Sequence, residues 1–454
     1  MSLDRHTLTV LDWPAVLQAL SERTHTPMGT AAARALEPLG SAEAVRRTHD
    51  RIDEVAAIEE AGGHIPVGGV GDIDELLQRA GRGEVLDGRE LQEAGATLGA
   101  LRSLAWGLIR QEDEAPELAR LGEGIVVDDV LADELEQAFE PSGRLSARQY
   151  PQLGELRRRV TDLHGAIRRT LEGLVKGDAL DDVLQDRFVT QRNNRYVIPI
   201  KAHAKRWDIG IVHGTSGSGA TVYIEPKEVV ELNNRLRLAE GALEAEERRI
   251  LIALSNRLGH HTVPLREGLR VATVVDLVVA RHRLAQDLGA TRPTVGEKGV
   301  IALTDARHPV LALRGVTVVG NDLGLSDDQP ALVLTGPNAG GKTVALKTLA
   351  LCALLVRVGC FVPAAPGARV DHFETVLAAI GDAQTVHADL SSFSGHLLQL
   401  REMLDRAAPS TLLLLDELAS GTDPAQGAAL AQALLEAMLE RGPRLVVTTH
   451  FARL

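Results

Sequence analysis

The stretch ALVLTGPNAGGKTV, from Ala331 to Val344, constrains the fold of this chain more than any other segment. Ala331 to Thr335 is a short apolar run, as expected for a buried parallel strand, and Val344 to Val358 has the character of an apolar helix. Between them, Gly336 to Thr343 fits the pattern G-x-x-x-x-G-K-[ST]. Strand, glycine loop and helix in this order predict a loop whose backbone N–H groups surround phosphates at the positive end of a helix.

This loop predicts a site for ATP and Mg²⁺. Lys342 would reach the β- and γ-phosphates, and the Thr343 hydroxyl would bind the magnesium ion. The alternative is a glycine-rich turn without a ligand, but a lysine and a threonine at these offsets have no packing reason to be there. The predicted nucleotide-binding residues of the loop are Gly336, Pro337, Asn338, Ala339, Gly340, Gly341, Lys342, Thr343 and Val344.

Two later strands predict the catalytic residues. The apolar run from Thr411 to Leu415 ends in Asp416 and Glu417. Asp416 would bind magnesium directly or through water, and Glu417 would polarise the attacking water. A further strand, Leu445 to Thr449, delivers His450 at its carboxyl end, where ligands of an open parallel sheet are found. His450 is therefore predicted to sense the γ-phosphate.

Composition limits the possible partners. A net charge of −13 over 454 residues excludes a chain that coats nucleic acid with its whole surface, so any such contact must be local. Aromatic residues make up 3% of the chain, which makes stacking platforms for bases an unlikely mode of binding. The two cysteines, Cys352 and Cys360, are expected to be reduced core thiols. No apolar run approaches the length of a membrane span, and we expect a cytoplasmic protein without a membrane partner.

The hydrophobic periodicity predicts four regions. Residues 1–150 are expected to form a helical core, and 151–260 a coiled-coil arm with a small β-containing module at about 187–225. Residues 261–299 are expected to return to a helix and end in a linker, and 300–454 to form the phosphate-loop domain. The loop Gly214 to Thr221 in the module is interpreted as a hairpin turn, because neither a lysine nor a helix start follows it.

The module also carries the local positive charge that a nucleic-acid contact requires. Six basic residues follow one another there without an acidic residue among them. We predict that they contact a phosphodiester backbone, the alternative being an ordinary basic face of a small sheet. These residues are Arg187, Arg192, Arg195, Lys201, Lys205 and Arg206.

Four segments together resemble the ATPase of the MutS family: TGPNAGGKTVALKT, DLSSFSGHL, LLLLDELASGTDP and VVTTHF. RHPVL at Arg307 to Leu311 and the stretch GIVHGTSGSGATVYIEP are similar to the second bacterial paralogue, the branch outside mismatch repair. The resemblance covers essentially the whole chain. It implies an α/β P-loop (ABC-like) ATPase domain preceded by a mainly α-helical, lever-like core with a long clamp arm.

The resemblance also implies roles for further residues. Asn338 and the RHP segment would lie near the nucleotide base, and the loop containing Ser391 and Ser392 would reach the γ-phosphate of a partner subunit in a homodimer. Proteins of this branch bind branched or duplex DNA and suppress homologous recombination. The alternative is a partner role with the 70S ribosome and its rRNA, in which ATP drives the subunits of stalled ribosomes apart.

Three departures from the family pattern modify these expectations. The amino-terminal mismatch-reading domain is absent, so we expect no role in mismatch repair. The family's endonuclease resides in a carboxy-terminal Smr domain, which we expect only in a longer form. The ATPase domain stops four residues after His450, and we interpret the chain as truncated at this end.

Overall fold

The computed structural model describes residues 4–204, 209–336, 341–381, 392–418 and 424–449, and it is rich in helix with three small sheets among these residues. The helices are α1 (Arg5–Val10), α2 (Trp13–Ser21), α3 (Pro27–Arg34), α4 (Ala42–Glu60), α5 (Asp74–Gly81), α6 (Gly88–Ile109), α7 (Pro116–Glu123), α8 (Asp129–Ala138), α9 (Pro151–Lys176), α10 (Lys227–His260), α11 (Thr262–Leu288), α12 (Pro309–Leu313), α13 (Lys342–Arg357), α14 (Ser392–Asp405) and α15 (Pro424–Leu439). The strands are β1 (Thr190–Arg192), β2 (Arg195–Lys201), β3 (Gly210–Thr215), β4 (Thr221–Pro226), β5 (Ile301–Ala306), β6 (Asn321–Leu325), β7 (Ala331–Thr335), β8 (Arg369–Val370), β9 (Thr375–Ala379), β10 (Thr411–Leu415) and β11 (Arg444–Thr449).

The chain divides into two compact units. The first comprises Met1–Asp72, Ala100–Val127 and Pro264–Leu454, and the second comprises Ile73–Gly99 and Asp128–Val263. Within the described ranges, no helix combines the length and the apolar character that crossing a membrane requires.

The first unit is built around a parallel sheet with the strand order β7-β11-β10-β9. Successive side chains of a strand point to opposite faces, and here both faces are covered. Leu412, Leu414 and Val446 pack with the apolar helix α13, whereas Leu413 and Val447 belong to the core that includes residues of α14 and α15. The continuous apolar run of β10 follows from this burial on two sides, as the sequence predicted.

Strand β7 departs from the sequence-based prediction of a buried strand. Its bounds agree with the prediction, but Val333 is 38% exposed and no residue of the strand is fully buried. The reason is its place in the sheet, because β7 pairs with β11 alone among the described strands. At the opposite edge, the backbone N–H of Ala378 in β9 donates to the Thr7 hydroxyl of α1 at 3.0 Å, and this bond satisfies an edge donor.

The start of helix α2 also differs from expectation in its detail. Asp12 precedes the Trp13-Pro14 pair, a sequence typical of an N-cap, and it occupies the N-cap position, but its side chain makes no capping hydrogen bond. The backbone of Asp12 is left-handed, with φ 55°, and its carboxylate lies 3.4 Å from Lys347 Nζ on α13. Asp12 therefore links α2 to the helix that follows the glycine loop.

His49 on α4 is a buried histidine of the first unit, and it gives folding stability a defined pH dependence. Burial, with a smaller contribution from Arg292, lowers the pKa of the His49 imidazole to about 4. As pH falls, the His49 imidazole takes up a proton near pH 6.5 in the unfolded chain but only near pH 4 in the folded chain. The unfolding free energy is therefore unaffected by this group above pH 6.5 and decreases as pH falls from 6.5 towards 4. We expect a loss of about 2–3 kcal/mol from this group.

Urea unfolding at pH 7 and pH 4.5 measures this effect. The variant His49→Gln keeps a donor for the Cys360 carbonyl oxygen, which lies 3.3 Å from His49 Nε2, but has no proton to gain in this range. Between pH 7 and pH 4.5, the unfolding free energy of this variant should decrease less than that of the unchanged chain. Equal pH dependence in both would contradict the assignment.

The second unit contains the predicted helical arm. Helices α9 and α10 pack along a shared core that includes Leu163, Ile167 and Leu236. Two contacts fix an antiparallel register: Arg157 Nη2 lies 3.0 Å from Glu247, and His164 Nε2 lies 3.6 Å from Glu240. The apolar residues of this core recur at steps of three and four in both helices, the spacing of a packed helical pair.

The small module between these helices is an antiparallel sheet with the strand order β1-β2-β4-β3. Its buried face is formed by alternating residues such as Ile198, Ile200 and Ile224. The turn that joins β3 to β4 is a hairpin, in which the N–H of Ser216 donates to the Thr221 carbonyl at 2.8 Å. The hairpin interpretation of Gly214 to Thr221 is thus confirmed.

Candidate functional site

The glycine loop lies at the carboxyl end of β7, where the sequence predicted a ligand site. Gly341 precedes α13 with φ 78°, a left-handed conformation that glycine adopts without strain. Lys342 is 9% exposed, and its Nζ donates to the Gly336 carbonyl oxygen at 2.5 Å, across the loop. A buried ammonium group and the amino end of a sixteen-residue helix thus lie together at one strand end.

Asp416 joins this group from the end of β10. The Thr343 hydroxyl donates to its carboxylate at 3.0 Å (Oδ2) and 3.3 Å (Oδ1). The Thr448 hydroxyl, from β11, donates to Asp416 Oδ1 as well. The backbone N–H of Asp416 donates to the Ala379 carbonyl at 2.8 Å and fixes the start of the turn. Three strands and a helix therefore converge on Asp416, whose carboxylate accepts from α13 and β11.

Glu417 follows in an uncommon backbone conformation. Its φ is 50°, in the left-handed region, where residues other than glycine are strained by roughly 1–3 kcal/mol. The Thr448 hydroxyl accepts its backbone N–H at 2.9 Å and supports this conformation. Glu417 is half-buried. The Thr448 hydroxyl thus holds the backbone at the point where the two adjacent acids follow β10.

The chemistry of this group fits the predicted ligands. A threonine hydroxyl and a carboxylate within hydrogen-bond distance are oxygen ligands of the kind that Mg²⁺ prefers. The Lys342 ammonium group and the helix terminus supply the positive charge that a polyphosphate requires. Pro337, Asn338, Ala339, Gly340, Ser391, His450 and the side chain of Ser392 lie outside the described residues, and their roles stay predictions.

The RHP segment lies beside the same helix. His308 caps α12 and is buried, and burial together with the charge of Lys347 on α13 lowers its pKa to about 4. Arg307 donates to the Gly289 carbonyl oxygen at 3.1 Å. His308 is therefore neutral at pH 7. The place of this segment near the nucleotide base stays a prediction.

Comparisons with known proteins agree with this geometry. Residues 332–454 match the family model described as MutS domain V. The chain is 38% identical over 454 residues to Endonuclease MutS2 of Anaeromyxobacter sp., covering 98% of this chain and 56% of that protein. It is 38% identical over 454 residues to Endonuclease MutS2 of Lacticaseibacillus paracasei, covering 100% and 57%, respectively. Endonuclease MutS2 of Geobacillus thermodenitrificans is 36% identical over 455 residues, with coverages of 100% and 58%.

By these matches, the chain resembles the MutS family over at least 98% of its length. The relatives named above lie in its MutS2 branch, and the resemblance read from the sequence motifs is confirmed. The chain spans 56–58% of the length of these MutS2 proteins. The activity in their name belongs to the whole proteins, of which this chain matches a part.

Thr448 also belongs to the site around Asp416, although it was not predicted from the sequence. It is fully buried, donates to Asp416 and accepts from the Glu417 N–H. The available signal was a pair of threonines at the end of the apolar strand Leu445 to Thr449. A hydroxyl placed between the two predicted catalytic acids positions both of them.

Replacing Thr448 with valine should therefore impair the site while preserving its shape. The change removes the acceptor that the Thr448 hydroxyl offers to the Glu417 N–H and leaves Asp416 with one donor fewer, at a cost of about 1–3 kcal/mol in unfolding free energy. We expect ATP turnover to fall by about tenfold or more. Thr448→Ser retains the hydroxyl and should retain most of the turnover. Equal activity of the valine and serine variants would show that the hydroxyl has no positioning role.

The predicted nucleic-acid residues of the second unit have different surroundings from one another. Arg187 pairs with Asp181 at 2.5 Å, and the Lys201 ammonium donates to the Asp182 carbonyl oxygen at 3.3 Å. Arg192 is exposed, with its guanidinium 4.6 Å from the centre of the Tyr223 ring. Lys205 and Arg206 lie outside the described residues.

Arg195 takes part in a buried hydrogen-bond network that was not predicted from the sequence. It donates to Glu225 Oε1 at 2.8 Å and to Asn234 Oδ1 at 2.7 Å. Glu225 is fully buried and also lies within hydrogen-bond distance of His213 and Asn233. A buried carboxylate requires such partners, so the charge of Arg195 is engaged within the module.

Proposed function

We propose that this chain is the ATP-hydrolysing, DNA-binding region of a MutS2 protein, with an ABC-like P-loop ATPase domain in its first unit. The observation that carries the proposal is the convergence of Lys342, Thr343 and Asp416 at the carboxyl end of a parallel sheet. The match to MutS domain V and the similarity to MutS2 proteins support the same activity.

Each residue of the site has a distinct role in the proposal. The loop Gly336 to Val344 binds the phosphates of ATP through backbone N–H groups, and Lys342 neutralises the β- and γ-phosphate oxygens. Thr343 and Asp416 hold Mg²⁺, which when bound offsets the charge that develops between these phosphates. The Thr343–Asp416 hydrogen bond keeps these two ligands together before the ion binds.

Hydrolysis requires a water molecule in line with the γ-phosphate. Glu417 orients this water and accepts its proton, while His450 contacts the γ-phosphate. Thr448 contacts the Asp416 carboxylate and the Glu417 backbone N–H, and in the proposal Asp416 binds the metal ion whereas Glu417 acts on water. Ser391 and Ser392 would complete the site of a partner subunit in a homodimer.

The partner that we propose is branched or duplex DNA, with suppression of homologous recombination as the biological role, in the cytoplasm. The exposed Arg192, stacked on Tyr223, suits a phosphodiester contact on the module. The endonuclease activity in the relatives' name forms no part of the proposal for this stretch of chain.

Stimulation of ATP turnover by different partners tests the proposal. The rate is measured with the chain alone and with linear duplex DNA, four-way branched DNA or ribosomes at equal phosphate concentration. We expect the largest increase with branched DNA. An increase with ribosomes alone would replace DNA by the ribosome as partner, and a lack of turnover in every mixture would contradict the ATPase assignment.

A further inference from the structure

A groove of about 610 Å³ runs between α9 and α10 on the arm of the second unit. Four arginines line it, together with two acids and an apolar floor. The lining residues are Glu155, Arg158, Arg159, Asp162, Leu163, Ala166, Arg169, Leu232 and Arg235. An exposed concave surface with this excess of guanidinium groups suits a polyanion.

The two helices bring a pair of arginines face to face. The antiparallel register set by Arg157–Glu247 and His164–Glu240 makes Arg169 of α9 the counterpart of Arg235 of α10. The Arg169 guanidinium lies over the small residue Gly165, where an added Cβ atom would come within 3.4 Å of Nη1. Ala166 forms the floor next to it. Ala166, Arg169 and Arg235 thus line the same part of the groove, with a small side chain beside the two arginines.

These arginines differ from most others of the arm in lacking an acidic partner. Arg157, Arg237 and Arg249 each pair with a glutamate within 3.4 Å. Arg169 and Arg235 make no hydrogen bond or ion pair with any described residue. Two facing cations without a counter-charge repel each other, and an anion between them would remove that cost.

We propose that the Arg169–Arg235 pair, above Ala166, binds a phosphate group of the DNA backbone. The proposal rests on the DNA binding proposed above and adds a contact surface on the helical arm to the one predicted on the module. Glu155 and Asp162 lie towards the other end of the groove and restrict the phosphate to the Arg169–Arg235 end. Contact with the backbone confers no sequence preference, as a clamp on DNA requires.

Salt-dependent binding of a fluorescent linear duplex to the full chain tests the proposal. The double variant Arg169→Gln/Arg235→Gln should bind about tenfold or more weakly at 0.1 M salt, and the slope of log K against log salt should become shallower by about two. The matched control is Arg248→Gln, which removes an exposed arginine of α10 about 20 Å from Arg235 and outside the groove. It should change affinity by less than about twofold.

A variant that fills the groove without changing its charge distinguishes binding within the groove from a general effect of positive charge. Ala166→Leu keeps every arginine and a good helix former but fills the floor, and it should weaken binding several-fold. If both groove variants bind duplex DNA like Arg248→Gln, the groove is not a DNA contact. If the unchanged chain binds no duplex at all, the proposed function itself fails. A loss confined to double-stranded RNA, measured in parallel, would assign the groove to RNA instead.

Discussion

Replacing Lys342 with alanine is expected to lower the affinity of the chain for ATP by roughly 100-fold or more. Lys342 Nζ lies within the loop, 2.5 Å from the Gly336 carbonyl oxygen, at a position that is 9% exposed. Its charge acts at low dielectric, where it stabilises a polyphosphate more strongly than a surface lysine could. Binding of a fluorescent ATP analogue, measured by equilibrium titration, gives the change directly.

Lys298→Ala is the matched control for this change. Lys298 is an exposed lysine of the same unit, and its backbone N–H donates to Asp371, a contact that the substitution retains. The control should bind ATP like the unchanged chain. Unaltered ATP affinity in Lys342→Ala would remove the glycine loop from the nucleotide site.

The second large effect is expected from Glu417→Gln, which should retain ATP binding and lose turnover by about 100-fold to 10,000-fold. The amide keeps the size of the side chain and the backbone bond from the Glu417 N–H to Thr448. It cannot accept a proton from the attacking water. Single-turnover hydrolysis of labelled ATP, with the binding titration run in parallel, separates the chemical step from affinity.

Glu440→Gln, at an exposed position after α15, makes the same change of charge away from the site and should leave turnover unaltered. The two site variants should thus differ in kind, one losing binding and the other losing chemistry. A parallel loss of ATP affinity in Glu417→Gln would show that Glu417 holds the nucleotide rather than activating water.

The sequence was sufficient to predict the strands that form the site. The apolar runs of β7, β10 and β11 were predicted to within one residue at either end. For β10 and β11 the reason is that strands covered on both faces are apolar throughout. Each strand depends on a short segment whose residues are adjacent in the chain. The magnesium-binding roles predicted for Thr343 and Asp416 also require these two side chains to lie together, as the structure has them.

Features that depend on distant residues could not be predicted. The exposure of β7 depends on the number of strands beside it, and this number cannot be deduced from the residues of β7 alone. The engagement of Arg195 requires Glu225, thirty residues later, and arises from the pairing of β2 with β4. Thr448 contacts Asp416 and the Glu417 N–H because β11 pairs with β10, and this pairing is not evident from either strand alone. The groove on the arm likewise required the register of α9 against α10.

The most direct test of the central claim is Mg²⁺-dependent ATP turnover by the chain, measured over a range of protein concentrations beside Glu417→Gln. We predict that turnover requires Mg²⁺, that the variant binds ATP without hydrolysing it, and that the specific rate rises with concentration as two copies share a site. Turnover that persists undiminished in the variant, or a chain that binds no ATP at any concentration, would contradict the assignment of this site.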